Sequence, residues 1–175
     1  KQQTQTVPIV GDATETVTVE EYALAHYASA AGGGWRGVHS EGTVWNTMFG
    51  LLFADILLAY PPGVSRRDVF RTDFQSGPLD LDTDLFLPRR RRAVTSRLEE
   101  LRRDPATASR LLIRAWMSHY GSALRGVSWT LMTLRDLRDV AQGLGGEALA
   151  NVCALKAEDY GEDITHCGRV VAAVA

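Results

Sequence analysis

Three observations predict a mainly α fold of about six or seven helices, with short extended segments only near the start and in the tail. Two capping boxes, Thr18-Val19-Glu20-Glu21 and Thr133-Leu134-Arg135-Asp136, each set a threonine three residues before an acid. Asp104-Pro105 joins an N-cap acid to a proline at the first helical position. The run from Val44 to Tyr60 leaves almost no polar face, and a helix apolar on nearly all sides must be buried on nearly all sides.

In chain order, residues 1–16 are polar and Thr/Gln-rich, with a β-prone piece at Val7–Val10, and predict an extended lead-in. Thr18 and Glu21 then open a helix carrying Tyr22, Leu24, Ala25, Tyr27 and Ala28, which Gly32-Gly33-Gly34 should stop. The core helix follows from Val44, with Asn46 and Asp55 as polar exceptions and Pro61-Pro62 as its stop. Those interruptions keep the run below the roughly 18–20 apolar residues of a membrane span. Ser65 predicts the cap of a helix from Arg66 to about Phe74, broken by Gly77-Pro78. Asp80, Asp82 and Asp84 alternate with leucines, but the glycine and distant glutamate of a calcium loop are missing, so they read as a solvated turn.

Pro88-Arg89-Arg90-Arg91-Arg92 opens the next helix, through Val94, Leu98 and Leu101. Four arginines in a first turn oppose the helix dipole and call for compensation. Two sources stand open: the acids Asp80, Asp82 and Asp84, or a DNA phosphate, which arginine grips bidentately. Asp104-Pro105 starts a helix burying Leu111, Leu112, Ala115, Trp116 and Met117, ended by Gly121. Val127-Ser128-Trp129 reads as a packing anchor. The Thr133 helix should end at Gly143, and a last helix should run from Glu147 to about Asp159. Trp35, Trp45, Trp116 and Trp129 read as core aromatics.

The composition is that of a globular core: 45% hydrophobic and 23% charged over 175 residues, one domain or a piece of a larger one. A net charge of −2 argues against a general polyanion binder, so any nucleic-acid surface must be local. Lys1 and Lys156 are the only lysines. Cys153 and Cys167 have neither disulfide-framework nor zinc spacing, and a reducing compartment is the default. The first residues lack the apolar core of a signal peptide and an initiator Met, which suggests a start partway through a longer protein.

One acid stands out. Glu41 lies between Ser40 and Gly42, just before the core helix. It reads either as an acid favoured by a helix N-terminus or as a ligand for a hard divalent cation. His39 reads as a local hydrogen-bonding residue, and His26, His119 and His166 form no ligand pair at helical spacing.

The stretch Gly37–Ile56 resembles the Fanconi-associated nuclease family, together with Asp68-Val69-Phe70-Arg71, Pro78–Asp84, Val127-Ser128-Trp129, Leu144-Gly145-Gly146, Val152-Cys153 and His166-Cys167. The blocks follow the family's order and cover roughly residues 17–167. The resemblance implies a structure-selective DNA repair nuclease of the restriction-endonuclease-like superfamily, nuclear, dependent on Mg²⁺ or Mn²⁺, and acting on branched DNA such as 5′ flaps in interstrand-crosslink repair. It makes Glu41 a metal ligand. It also favours phosphate contact at Arg89, Arg90, Arg91 and Arg92. Residues 17–167 would then be the helical portion of an α/β nuclease module, after a lead-in at 1–16 and before a divergent tail at 168–175.

The superfamily's chemistry also needs a Pro-Asp segment and a strand bearing Glu-x-Lys. No Pro-Asp pair occurs, and Lys156 has Ala154 two positions before it. One carboxylate cannot fix Mg²⁺, which demands near-octahedral oxygen ligation. The isolated chain is therefore expected to lack activity. The alternative is a non-catalytic helical module that binds DNA or a repair-protein partner through Arg89–Arg92, with no membrane association.

Overall fold

The computed structural model describes residues 6–8, 16–35, 37, 42–104 and 106–160. The fold is mainly helical, with seven helices among those residues. The chain divides into two compact units, 1–41 and 42–175.

In the first unit β1 (Thr6–Pro8) pairs antiparallel with β2 (Thr16–Thr18), Val7 opposite Val17. Helix α1 (Val19–Ala28) follows directly. The Thr18 hydroxyl accepts from the Glu21 amide at 3.2 Å, and the Glu21 carboxylate accepts from the Thr18 amide at 2.8 Å, closing the expected capping box. The helix stops before the glycines. Ser29 turns extended, with ψ 160°, and its hydroxyl donates back to the His26 carbonyl at 2.6 Å. None of the α1 residues is buried, and Trp35 is 65% exposed, so Trp35 is not the core aromatic expected.

The second unit is built on α2 (Thr43–Leu52), the expected core helix, with Val44 and Thr47–Leu52 buried. The apolar run is not one helix. Phe53 leaves helical geometry (φ −116°, ψ 13°), and α3 (Ala54–Leu57) restarts beyond it. Phe49 stacks on Phe53 with ring centroids 4.5 Å apart, and Tyr160 leans on Phe49 at 5.2 Å. Thr47 is the buried polar residue of α2. Its hydroxyl accepts from the Ser128 amide at 3.0 Å, which anchors the Val127–Trp129 turn on α2.

Helix α4 is only Arg66–Val69, shorter than expected because Phe70 turns extended, and Ser65 makes no side-chain cap. Helix α5 spans Phe86–Arg103 and α6 Ala106–His119. Asp104 caps α6 as expected, its carboxylate accepting from the Ala106 amide at 2.9 Å. Leu111, Leu112 and Ala115 are buried, but Met117, expected with them, is 76% exposed. Helix α7 (Leu134–Asp159) opens with the Thr133–Asp136 capping box and breaks at Gly145 (φ 73°, ψ 168°), where two separate helices were expected. Gly146 follows because a Cβ there would lie 2.3 Å from the Leu101 carbonyl oxygen, so α7 and α5 approach backbone to backbone. No helix among the described residues is long and apolar enough to cross a membrane.

Candidate nucleic-acid interface

The buried positions of α5 are Phe86, Arg90, Val94, Arg97 and Leu101. Their spacing of four, four, three and four is that of one helix face. Two of the five are arginines, and burying a guanidinium requires a partner. Each has one.

Arg90, 4% exposed, donates from Nη1 to Asp80 Oδ2 at 2.9 Å, and Arg89 donates to the same oxygen at 3.0 Å. The Arg90 guanidinium lies 4.8 Å from the Phe86 ring centroid. Burial alone would raise the Asp80 carboxyl, but hydrogen bonds and charge from Arg90 and Arg89 outweigh it and hold the group below the usual aspartate value. Asp80 is itself only 4% exposed, which corrects the expectation of a solvated turn. Asp82 takes Arg125 at 2.7 Å, and Asp84 remains exposed. The compensation for the first half of the arginine run is thus internal. Arg91 and Arg92 are exposed, and neither pairs with a carboxylate among the described residues.

Arg97 makes the second pin. It donates to Asp55 Oδ1 at 3.1 Å and Oδ2 at 2.8 Å, and its Nε donates to Glu100 at 3.2 Å. It also donates to the Leu52 carbonyl, an acceptor that the end of α2 leaves without a helical partner. Asp55 takes Arg114 of α6 as well, at 3.1 Å. Burial raises the Asp55 carboxyl, while Arg97 and then Arg114 lower it further than burial lifts it. One carboxylate therefore joins α3, α5 and α6. Sequence reasoning noticed Asp55 only as an interruption. An acid inside a buried run is itself the signal, because it needs a cation from elsewhere in the chain.

Other candidates resolve differently. Glu41 and His39 lie outside the described residues, and α2 starts after Gly42, which holds φ 86° and supplies no side-chain cap. Among the described residues no three His, Cys, Asp or Glu side chains could hold a metal ion, so these residues do not form a site for Mg²⁺ or Mn²⁺. Lys156 pairs with Asp159 at 2.9 Å. Cys153 is buried, and burial pushes its thiol up to about 12.

Fold and site together define a mainly helical unit pinned by buried arginine–carboxylate pairs, with further arginines, Arg91 and Arg92, exposed and without a carboxylate partner among the described residues on its longest uninterrupted helix. This chain is homologous to Fanconi-associated nuclease 1 over most of its own length. It is 40% identical over 150 residues to the homolog of that nuclease in Arabidopsis thaliana, covering 86% of this chain and 16% of the relative. Identity to the Schizosaccharomyces pombe homolog is 47% over 147 residues, 82% of this chain and 19% of that protein. Against Fanconi-associated nuclease 1 of Homo sapiens it is 37% over 163 residues, 90% and 15%. The chain thus spans less than a fifth of the length of these relatives. No protein-family model matches it.

Proposed function

We propose that this chain is part of a structure-selective, metal-dependent DNA nuclease that hydrolyses phosphodiesters in branched DNA such as 5′ flaps, in nuclear repair of interstrand crosslinks. The homology over more than four-fifths of the chain carries this reading. Glu41 serves as a ligand to Mg²⁺ or Mn²⁺, on the resemblance of its segment. The arginine run contacts DNA phosphate, and within it Arg91 and Arg92 lead, because Arg89 and Arg90 are engaged by Asp80. Such contacts position the protein on the backbone without reading bases.

The isolated chain binds branched DNA and does not cleave it. The described residues assemble no cation site. A second reading, a non-catalytic helical module that binds DNA or a repair-protein partner, is favoured by the exposed Arg91 and Arg92, which have no carboxylate partner among the described residues.

A chimaera separates the two. This chain replaces its matched segment in the Schizosaccharomyces pombe relative, and a labelled 5′-flap DNA is incubated with Mg²⁺ or Mn²⁺. The nuclease reading expects cleavage by the chimaera, abolished by Glu41→Ala with flap binding retained. Cleavage that survives Glu41→Ala overturns the role of Glu41. Binding without cleavage by the chimaera favours the second reading.

A further inference from the structure

Between α5 and α6, beside the start of α3, lies a cleft of about 530 Å³ lined by Asp55, Arg97, Glu100, Thr107, Arg110 and Arg114. Its three guanidinium groups face two carboxylates on the wall, and Asp104 stands next to Arg110 as a third. The three arginines are held in different ways. Arg97 forms the floor, with 9% of its side chain exposed and with Leu52, Asp55 and Glu100 as acceptors. Arg110 and Arg114 are 64% and 63% exposed. Among the described residues Arg114 bonds through Nη2 alone, to Asp55, and Arg110 uses Nη1 on Asp104 and Nη2 on Thr107. The two lie four residues apart on one face of α6, about 6 Å along the helix axis, within reach of a common ligand.

Exposed ion pairs of this kind contribute little and exchange readily, whereas phosphate takes guanidinium bidentately. We propose that this cleft is a second seat for a DNA backbone phosphate. Arg110 and Arg114 leave Asp104 and Asp55 to grip it, and Arg97 stays fixed beneath. Asp104 and Asp55 act as internal counter-charges that hold the two guanidinium groups extended and weaken non-productive binding. This seat rests on the reading that the chain binds DNA, but it uses none of the residues of the Arg89–Arg92 run.

The test measures binding of a fluorescein-labelled 5′-flap DNA to the full chain by anisotropy, in EDTA, across about 50–200 mM KCl. Arg110→Gln/Arg114→Gln should reduce the slope of log affinity against log salt by about 1.8, two phosphate contacts at about 0.9 each. Asp104→Asn should tighten binding by about two- to five-fold, the inverse of losing one exposed pair. Asparagine caps a helix as well as aspartate does, so that variant keeps the start of α6 while releasing Arg110. An unchanged slope in the double variant, or unchanged affinity in Asp104→Asn, overturns the seat. If Arg91→Gln/Arg92→Gln lowers the slope while the cleft variants do not, DNA binding stands and the cleft is only an ion-pair network. If the unaltered chain fails to bind at 50 mM KCl, both readings fall.

Discussion

Arg97 and Asp55 meet across 42 residues of sequence, guanidinium against both carboxylate oxygens, at the point where α2 gives way to α3. The pair explains how a break can stand inside the core. The Leu52 carbonyl freed by the break is taken by Arg97, and the charge so buried is met by Asp55.

Removing one partner should therefore be asymmetric. Arg97 is 9% exposed at its side chain and Asp55 49%. Arg97→Met lets Asp55 return to water and to Arg114, and its cost is the lost donor to the Leu52 carbonyl, about 1–3 kcal/mol. Asp55→Ala leaves the buried Arg97 guanidinium with Glu100 and the Leu52 carbonyl as its acceptors among the described residues, which sets the loss toward the lower end of the about 3–5 kcal/mol for breaking a buried pair. Urea unfolding should show Asp55→Ala as the more destabilised of the two, with an unchanged m-value. Equal losses would mean that Arg97 reaches water when its partner is gone.

Asp80 and Arg90 form a pair that is less well satisfied. Arg90 Nε and Nη2 and Asp80 Oδ1 are buried with no hydrogen-bond partner among the described residues. A buried pair with open valences adds little net stability. Asp80→Leu alone should cost about 3–5 kcal/mol, and adding Arg90→Met should recover most of that loss. A double variant as unstable as the single one would show that the pair itself carries the stability.

Both aspartates make the fold sensitive to acid. Their folded values lie below the ordinary carboxyl value, so the unfolded chain takes up protons first as pH falls. The stabilisation is complete above the unfolded value near 3.9 and is lost as pH drops from there through the folded values. Melting temperature should hold steady from pH 7 to about 5 and fall steeply below about 4. In Asp80→Asn the acid limb should be shallower, whatever the starting stability. A limb of the same steepness would assign the acid sensitivity to other groups.

What was legible in the sequence was local. The Thr18 and Thr133 boxes and the Asp104 cap were readable because a helix end is specified by the few residues that bond to it. The burial of most of the run from Val44 to Tyr60 followed from composition alone, although its end at Tyr60 is 47% exposed. The break at Phe53 left no such mark, since no glycine or proline stands there and the geometry is held by Arg97 from a different helix. The division of the arginine run was hidden for the same reason. Arg90 and Arg91 are adjacent and chemically identical. Only the helix face, and an aspartate ten residues back in a turn, make one an internal pin and leave the other exposed. Met117 and Trp35 show the converse error, where apolar chemistry was read as burial.

The thiol of Cys153 lies in the core, and burial raises it to about 12. Thiolate is the reactive form, so almost none is present at pH 8. In a Cys167→Ser background, Cys153 should react with a thiol reagent only as fast as the chain opens, and urea near the unfolding midpoint should accelerate the reaction sharply. Rapid labelling in native buffer would place Cys153 on an accessible surface and contradict its packing in α7.

Three glycines of α7 should respond differently to alanine, because each meets a different constraint. Gly143 is helical and has nothing within 4 Å of an added Cβ, so Gly143→Ala should stabilise the fold by about 0.5–1 kcal/mol through helix propensity. Gly145 holds φ 73° in open space. With ψ at 168° this is a positive-φ extended conformation that essentially only glycine populates, so alanine there costs about 1–3 kcal/mol of backbone strain. Gly146 faces the Leu101 carbonyl at 2.3 Å from an added Cβ, with the Leu101 carbon at 3.2 Å. Relief requires α7 to move off α5, which would stretch the Arg102 bonds to Glu147 and Asn151 and reopen the packing around Leu149. Gly146→Ala should be the most damaging of the three, comparable to overpacking a core at about 1–3 kcal/mol or beyond. Thermal melts of the three variants give the order directly. A Gly146→Ala protein as stable as Gly143→Ala would mean that the two helices do not approach at Leu101.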